Sequence, residues 1–321
     1  MPAHSLSGSP GARILGLGHY RPATVVTNDD LIARGIDTDD AWIRSRVGIA
    51  ERRYADADET VVDLGEVAAS KALAASGVDT SEVDLVVAAT CTMPTPVPAA
   101  APQLASRLGI VAPGAFDINS GCSGFVYALN VASAAVQTGQ ARAALVVAAE
   151  RFSGWLDWND RSTCIILGDG AGAAVVGPSD VAGFGPVVWG SDGAHYDTVA
   201  IDEQSRLFRQ EGQAVYRWAT GSMAPVALAA CERAGVRPDD LAAFVPHQAN
   251  LRIIDAIAKR LGVPDAVVAR DVVTSGNTSA ASIPLALSRM VEAGQIPSGA
   301  PVLLVGFGSG LAYAAQVVLA P

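Results

Sequence analysis

Cys122 has the setting of a nucleophile. It lies in Asp117-Ile118-Asn119-Ser120-Gly121-Cys122-Ser123-Gly124-Phe125, between an apolar strand and a helix running toward Gln137. A thiol at a helix N-terminus feels unsatisfied N–H groups and the positive end of the dipole, which favours the thiolate. The competing reading is a small buried hydrophobe. Cys91, Cys164 and Cys231, within or beside apolar segments, take that second reading. No Cys-x-x-Cys spacing and no paired histidine ligands occur, so neither a metal site nor a disulfide framework is expected.

His247 follows the strand ending at Val245, in Val245-Pro246-His247-Gln248-Ala249-Asn250-Leu251-Arg252, just ahead of another helix. A neutral imidazole there can donate or accept one hydrogen bond at a reacting carbonyl or thiol, with the helix dipole keeping its pKa low. A lone histidine can equally be structural, and His4, His19 and His195 carry no comparable pattern. Asn277, in Ser275-Gly276-Asn277-Thr278-Ser279-Ala280-Ala281-Ser282, is either a plain helix N-cap or an untitratable amide suited to donating to an enolate. Gly306-Phe307-Gly308-Ser309-Gly310 ends a strand and can bring backbone N–H groups close to a reacting oxygen. Gly168-Asp169-Gly170-Ala171-Gly172 lacks the lysine of a phosphate loop and the third glycine of a dinucleotide fingerprint. It lies between the apolar runs Ile165 to Leu167 and Ala173 to Val176 and reads as a tight turn between two strands. On the helix from Leu251, Ile254, Ile257 and Leu261 face inward. Arg252 and Lys259, with Arg260 beside them, share another face, either a dock for an acidic partner or a solvated stripe.

The elements that must position these residues alternate. Apolar runs bounded by Gly, Pro and Asp, such as Arg13 to Leu17, Leu85 to Ala89, Leu145 to Ala149 and Val302 to Val305, alternate with Ala-rich segments of helical length. That pattern predicts an α/β fold with strands buried on both faces. Thr60 to Ser76 shows the helical grammar: Thr60 caps, Val61, Leu64, Ala68 and Leu73 form the stripe, and Gly77 ends it. The stretch Gly77 to Glu150 resembles Gly235 to Phe307, each with Gly-Val, an apolar strand, Arg-Leu-Gly, a Ser-Gly-x turn, Gly-Gln and another strand in the same order. This internal repeat predicts a duplication. Two halves packed about a pseudo-twofold axis would bring Cys122 and Asn277, 155 residues apart, face to face.

Composition bounds the rest. The 321 residues are 50% hydrophobic and 17% charged, enough chain and apolar surface for a large core. A net charge of -10 argues against a nucleic-acid binder. No run approaches the ~18 apolar residues of a membrane span, so no membrane is expected and the protein reads as cytoplasmic. Residues 1–11 read as a flexible tail without the cationic start or apolar centre of a signal peptide.

With these residues in view, the chain after the tail resembles the β-ketoacyl-acyl-carrier-protein synthase III family, including members that prime aromatic polyketides. The resemblance rests on Asp40-Ala41-Trp42-Ile43-Arg44-Ser45-Arg46-Val47-Gly48-Ile49, the cysteine turn, Gly168 to Ala173, Val245 to Ile254 and Gly276 to Ile283. It implies a thiolase fold: a five-layered α/β/α/β/α sandwich of two duplicated halves, 12–178 carrying the cysteine and 179–321 the histidine and asparagine. It further implies that Cys122 is acylated, that His247 and Asn277 complete the triad, and that the backbone N–H groups of Cys122 and Ser309 form the oxyanion hole. Many relatives have glycine at the position of Ser309. Trp42 would stack on the coenzyme A adenine with Arg161 on its other face. Thr38, Arg46, Gly212, Tyr216, Ala249 and Asn250 would line the pantetheine and nucleotide path, where Gln213 replaces the asparagine of relatives. Arg217, Arg252, Lys259 and Arg260 match a face that receives acyl-carrier protein.

The implied reaction takes an acyl group from acyl-CoA onto Cys122 and condenses it with malonyl-acyl-carrier protein as carbon dioxide leaves, giving a 3-oxoacyl-carrier protein. Both thioesters are substrates, and no cofactor or metal is implied. The family implies a homodimer. Val97 and Phe307 match the acyl pocket, Val97 across the dimer interface where some relatives place a bulky phenylalanine, so starters larger than acetyl are expected. Three rival readings follow from the same residues. Papain-like hydrolases share the Cys, His, Asn order, although the duplication counts against them. A non-condensing acyltransferase of the same fold would hand the acyl group to a hydroxyl or amine, and a silent scaffold would take none.

Overall fold

The computed structural model of the protein describes residues 11–263 and 265–321. The expected tail therefore lies outside the described residues except for Gly11, which already pairs with Ser179 in a strand.

Ten strands form two five-stranded sheets. The first holds β1 (Gly11–Tyr20), β4 (Val83–Ala89), β5 (Gly114–Ile118), β6 (Ala143–Arg151) and β7 (Asp169–Ser179), in the order β1-β7-β6-β4-β5. The second holds β8 (Val188–Ser191), β11 (Ala243–Pro246), β12 (Val267–Val268), β13 (Pro301–Gly308) and β14 (Ala312–Leu319), in the order β8-β14-β13-β11-β12. In each sheet the first three strands are antiparallel to their neighbours and the last three parallel. Strand for strand, the second sheet repeats the first, as the internal repeat predicts. Two short antiparallel pairs lie apart, β2 (Thr24–Thr27) with β3 (Glu51–Tyr54), and β9 (Val199–Ile201) with β10 (Phe208–Gln210).

Helices complete the layers: α1 (Asn28–Ala33), α2 (Asp40–Val47), α3 (Val61–Ser76), α4 (Ala100–Arg107), α5 (Gly124–Gln137), α6 (Gly212–Ala234), α7 (Leu251–Leu261), α8 (Val272–Ser275) and α9 (Ser282–Glu292). Phe125 and Leu129 of α5 and Ile283 and Leu287 of α9 pack between Val146 of the first sheet and Leu304 of the second. Leu64 of α3 and Leu104 of α4 cover the first sheet's outer face at Val86 and Val147. Met223 of α6 and Ile257 of α7 cover the second at Phe244 and Leu303. The result is the expected five-layered α/β/α/β/α sandwich.

Local grammar behaves as read at α3: Thr60 and Asp63 form a reciprocal capping box, and Gly77 closes the helix at φ 69°. The glycine run needs correction. Gly168 to Gly172 is not a turn between strands, because Asp169 begins β7 and the run continues straight into it. A side chain on Gly172 would meet the Leu285 nitrogen at 2.5 Å and Pro284 at 2.6 Å, so its bareness lets α9 lie directly on the sheet. Nor is Ile165 to Leu167 a strand: it makes a single parallel bridge, from Leu167 to Asn277.

Candidate active site

Cys122 occupies a single 3-10 turn, Gly121 to Ser123, where β5 gives way to α5. Three glycines let the turn close on the end of β13. A Cβ on Gly121 would meet the Ser309 Cβ at 2.9 Å, one on Gly306 the Ser123 Cα at 2.8 Å, and one on Gly308 the Cys122 Cβ at 2.8 Å and Sγ at 2.9 Å. Gly121, at φ 49°, also needs the left-handed region. The backbone N–H groups of Cys122 and Ser309 and the Ser279 side chain surround the sulfur and favour its anion. The Ser309 hydroxyl turns away and donates to the Val199 carbonyl at 2.7 Å, which anchors its backbone.

The electrostatics overturn one expectation. Burial pushes the Cys122 thiol up to about 11, against these three polar groups and with the Glu150 carboxylate adding to the rise. Cys122 therefore rests as a thiol, because desolvation of the anion outweighs the helix N-terminus.

Gly308→Ala tests the packing, because the added methyl must displace the sulfur from the Ser309 N–H. Acylation is expected to slow about 10²-fold with the fold retained, measured as the rate of acyl adduct formation; an unchanged rate refutes the close approach.

His247 and Asn277 come from the other repeat and reach the same cavity, of about 480 Å³, whose wall includes Cys122, Ser279 and Phe307. His247 is buried beside Phe307, edge to face at 5.3 Å. Burial pulls its pKa down to about 3, the expected direction, although desolvation rather than a helix end is the cause. Asn277 is not a helix N-cap, since α9 begins only at Ser282. Its backbone is pinned on both sides, donating to the Ile166 carbonyl at 2.9 Å and accepting the Gly168 N–H at 3.0 Å. Its side-chain Oδ1 accepts the Ser279 N–H at 2.8 Å, so the NH2 end is left for the cavity.

Sequence reasoning missed the groups behind the thiol. Glu150, fully buried at the end of β6, accepts from the Thr92 hydroxyl at 2.6 Å, the Cys91 N–H at 3.1 Å and the Cys91 thiol at 3.3 Å. Its pKa is raised by burial against these donors and the Ser279 side chain. Cys91 is thus a polar participant rather than an apolar filler, and burial together with Glu150 raises its own pKa. Cys164 and Cys231 are buried as expected. Arg52 was missed too: wholly buried, it donates to the Ile165 carbonyl at 2.7 Å, beneath the segment that holds Asn277. No local motif marks Glu150 or Arg52; their partners are distant in sequence.

The remaining candidates divide. Arg46, Gly212, Tyr216, Arg217, Ala249, Asn250 and Arg252 line the cavity with Trp42, as does Gln213. Asn250 also caps α7 through Ile253 N–H at 2.9 Å. Arg252 stands over the Tyr216 ring at 5.3 Å. The Arg161 guanidinium lies directly on Trp42 at 5.0 Å, held by the Asp37 carbonyl at 2.7 Å, too close for an aromatic ring between them, so Arg161 must swing outward to admit one. Thr38 does not line the cavity; its buried hydroxyl has no hydrogen-bond partner. Lys259 and Arg260 lie off the wall, and Arg260 is tied to the Thr220 carbonyl of α6. Val97 is 79% exposed and touches no part of this cavity's wall. No cluster with metal-ligand character exists among the described residues.

Comparison with known proteins gives a consistent result. Residues 231–319 match the family described as 3-Oxoacyl-[acyl-carrier-protein (ACP)] synthase III C terminal, and residues 116–193 match 3-Oxoacyl-[acyl-carrier-protein (ACP)] synthase III. The chain is 54% identical over 314 residues to Beta-ketoacyl-[acyl-carrier-protein] synthase III 4 of Streptomyces coelicolor, covering 97% of this chain and 99% of the relative. It is 47% identical over 326 residues to Beta-ketoacyl-[acyl-carrier-protein] synthase III of Streptomyces glaucescens, covering 98% of each. Among solved structures, the priming β-ketosynthase from the R1128 polyketide biosynthetic pathway is similar with a TM-score of 0.94 at 44% identity, covering 100% of this chain and 99% of that one. The 3-oxoacyl-[acyl-carrier-protein] synthase III of Aquifex aeolicus follows at 0.92 and 38%, covering 96% and 100%.

Proposed function

The chain belongs to the β-ketoacyl-acyl-carrier-protein synthase III family, and from that premise we propose that it primes Cys122 from an acyl-CoA and extends the acyl group with malonyl-acyl-carrier protein. The observation that carries this reading is the meeting of Cys122, His247 and Asn277 on one cavity wall. The cavity runs inward from exposed Arg46, Arg217 and Arg252 to half-buried Cys122 and buried His247 and Asn277. On a chain of net charge -10, cations at that entrance favour the phosphates of coenzyme A and an acidic carrier protein.

The Cys122 sulfur attacks the acyl-CoA thioester, the N–H groups of Cys122 and Ser309 hold the tetrahedral oxygen, and the thiol proton leaves with coenzyme A as its free thiol. Malonyl-carrier protein then binds with its thioester carbonyl toward His247 and Asn277. Their hydrogen bonds stabilise the enolate as carbon dioxide departs. The enolate carbon bonds to the acyl carbon, the bond to sulfur breaks, and the released thiolate takes a proton from solvent. A cytoplasmic setting suits both thioesters.

We place the protein in a homodimer through β5, the edge of the first sheet, where Phe116 is 42% exposed. Asp117 on that strand accepts the Ala100 and Ala101 N–H groups at 2.7 and 2.8 Å, which holds the loop bearing exposed Val97 beside the edge. Val97 is thus presented for a partner's acyl pocket. Phe116→Asp is expected to convert the dimer to monomer in sedimentation; a wild type that sediments as monomer at micromolar concentration sinks the assembly.

The function is tested by intact-protein mass spectrometry with acetyl-CoA and a branched acyl-CoA. We expect an adduct on Cys122, faster with the larger starter, that disappears with 3-oxoacyl-carrier protein formed when malonyl-carrier protein is added. No adduct indicates a silent scaffold, and an adduct that malonyl-carrier protein cannot discharge indicates a non-condensing acyltransferase.

A further inference from the structure

One ring nitrogen of His247 has a fixed side-chain partner. Nδ1 lies 2.7 Å from the hydroxyl of Ser282, the first residue of α9, and the same hydroxyl accepts the backbone N–H of Gln248 at 3.2 Å. All three residues are buried, with at most 2% exposure. Gln248 cannot drift: its side chain donates to the Pro246 carbonyl at 2.7 Å and accepts the Val272 N–H at 3.1 Å. The N–H it aims at Ser282 is therefore fixed.

A hydroxyl has one proton to give. Had the ring donated from Nδ1, the Ser282 proton would be left buried with no acceptor among its hydrogen bonds in the described residues, and a buried orphan donor carries its full desolvation penalty. If the hydroxyl donates to Nδ1, the Gln248 N–H, the Ser282 proton and Nδ1 are all satisfied, and the remaining ring proton sits on Nε2. Burial removes the doubly protonated ring from contention near neutrality.

We propose that Ser282 is a positioning residue that fixes His247 as the Nε2–H tautomer, so that the ring presents the cavity with a hydrogen-bond donor. The assignment builds on the condensing role given above. It has a consequence for the first half-reaction: a ring protonated at Nε2 and occupied at Nδ1 cannot receive the Cys122 proton. His247 therefore serves the enolate and not the nucleophile, alongside Asn277, whose amide is oriented by the Ser279 N–H in the same manner.

The test is 15N NMR of histidine-labelled protein, with the His247 signals assigned by their loss in His247→Asn. In the wild type, Nε2 is expected to show a one-bond proton coupling and Nδ1 none; a proton on Nδ1 overturns the proposal. This measurement needs no variant at Ser282 and stands even if Ser282→Ala does not fold. In folded Ser282→Ala, an Nδ1–H population should appear, and condensation should fall about 10- to 100-fold while acylation of Cys122 stays within about twofold. An unchanged tautomer, unchanged condensation or equal loss of both half-reactions overturns it. A wild-type acyl-enzyme that malonyl-carrier protein does not extend overturns the condensing reading instead, and the wild-type spectrum still decides the tautomer.

Discussion

Cys122→Ala is expected to form no acyl adduct and to lose condensation by about 10⁵-fold or more, because Cys122 is the one thiol on the cavity wall. Cys91 stands nearby, but its thiol donates to Glu150 and its pKa is raised well beyond the ordinary range. Decarboxylation of malonyl-carrier protein should survive, since His247 and Asn277 are untouched. Release of carbon dioxide without 3-oxoacyl product is the signature to seek by headspace and product analysis. Acylation that persists on another residue removes Cys122 from the mechanism. The thiol form adds a check on the wild type: with a pKa of about 11, alkylation by a neutral reagent should rise about tenfold per pH unit between 7 and 10. A rate that levels off near pH 7 contradicts the raised thiol pKa.

Asn277→Ala should separate the half-reactions. The variant keeps the sulfur, both oxyanion N–H groups and the Ser279 side chain, so the acyl adduct forms at close to the normal rate. Condensation is expected to fall about 10²- to 10³-fold through loss of one of two donors to the enolate. The backbone bonds of residue 277 to Ile166 and Gly168 do not depend on the amide side chain, which protects the fold. Equal loss of both steps would assign Asn277 a structural task. The informative readout is the burst of acyl-enzyme in a rapid-quench experiment against steady-state product formation.

The sequence announced the skeleton more fully than the chemistry. Thr60 and Gly77 delimit α3 because caps are local, and the repeat from Gly77 to Glu150 foretold matching sheets because strand order is written in element order. Cys122 and His247 stood out because each follows a strand and precedes helical chain, and Asn277 because the repeat sets it opposite Cys122, although in the fold it follows α8. Their protonation was not legible in the same way. The thiol's pKa depends on how many layers cover it, which no window around Cys122 contains. Gly168 to Gly172 was misread because Gly170 and Gly172 answer to α9, more than a hundred residues later. Glu150, Arg52 and Ser282 went unmarked for the same reason: each acts on a neighbour supplied by another segment. Arg260 followed the right helical face yet is drawn to the Thr220 carbonyl by packing of α7 on α6.

The matched sheets also bear on ancestry. Two copies of one ancestral turn, facing each other across a symmetric pair, would have offered the same groups twice. Fusion into a single polypeptide would have freed them to diverge, one turn keeping a sulfur for the proposed acyl chain, its counterpart an amide for the proposed carbanion. Electrophile and nucleophile are thus housed by sister sequences, and neither sister has retained enough to run the chemistry alone.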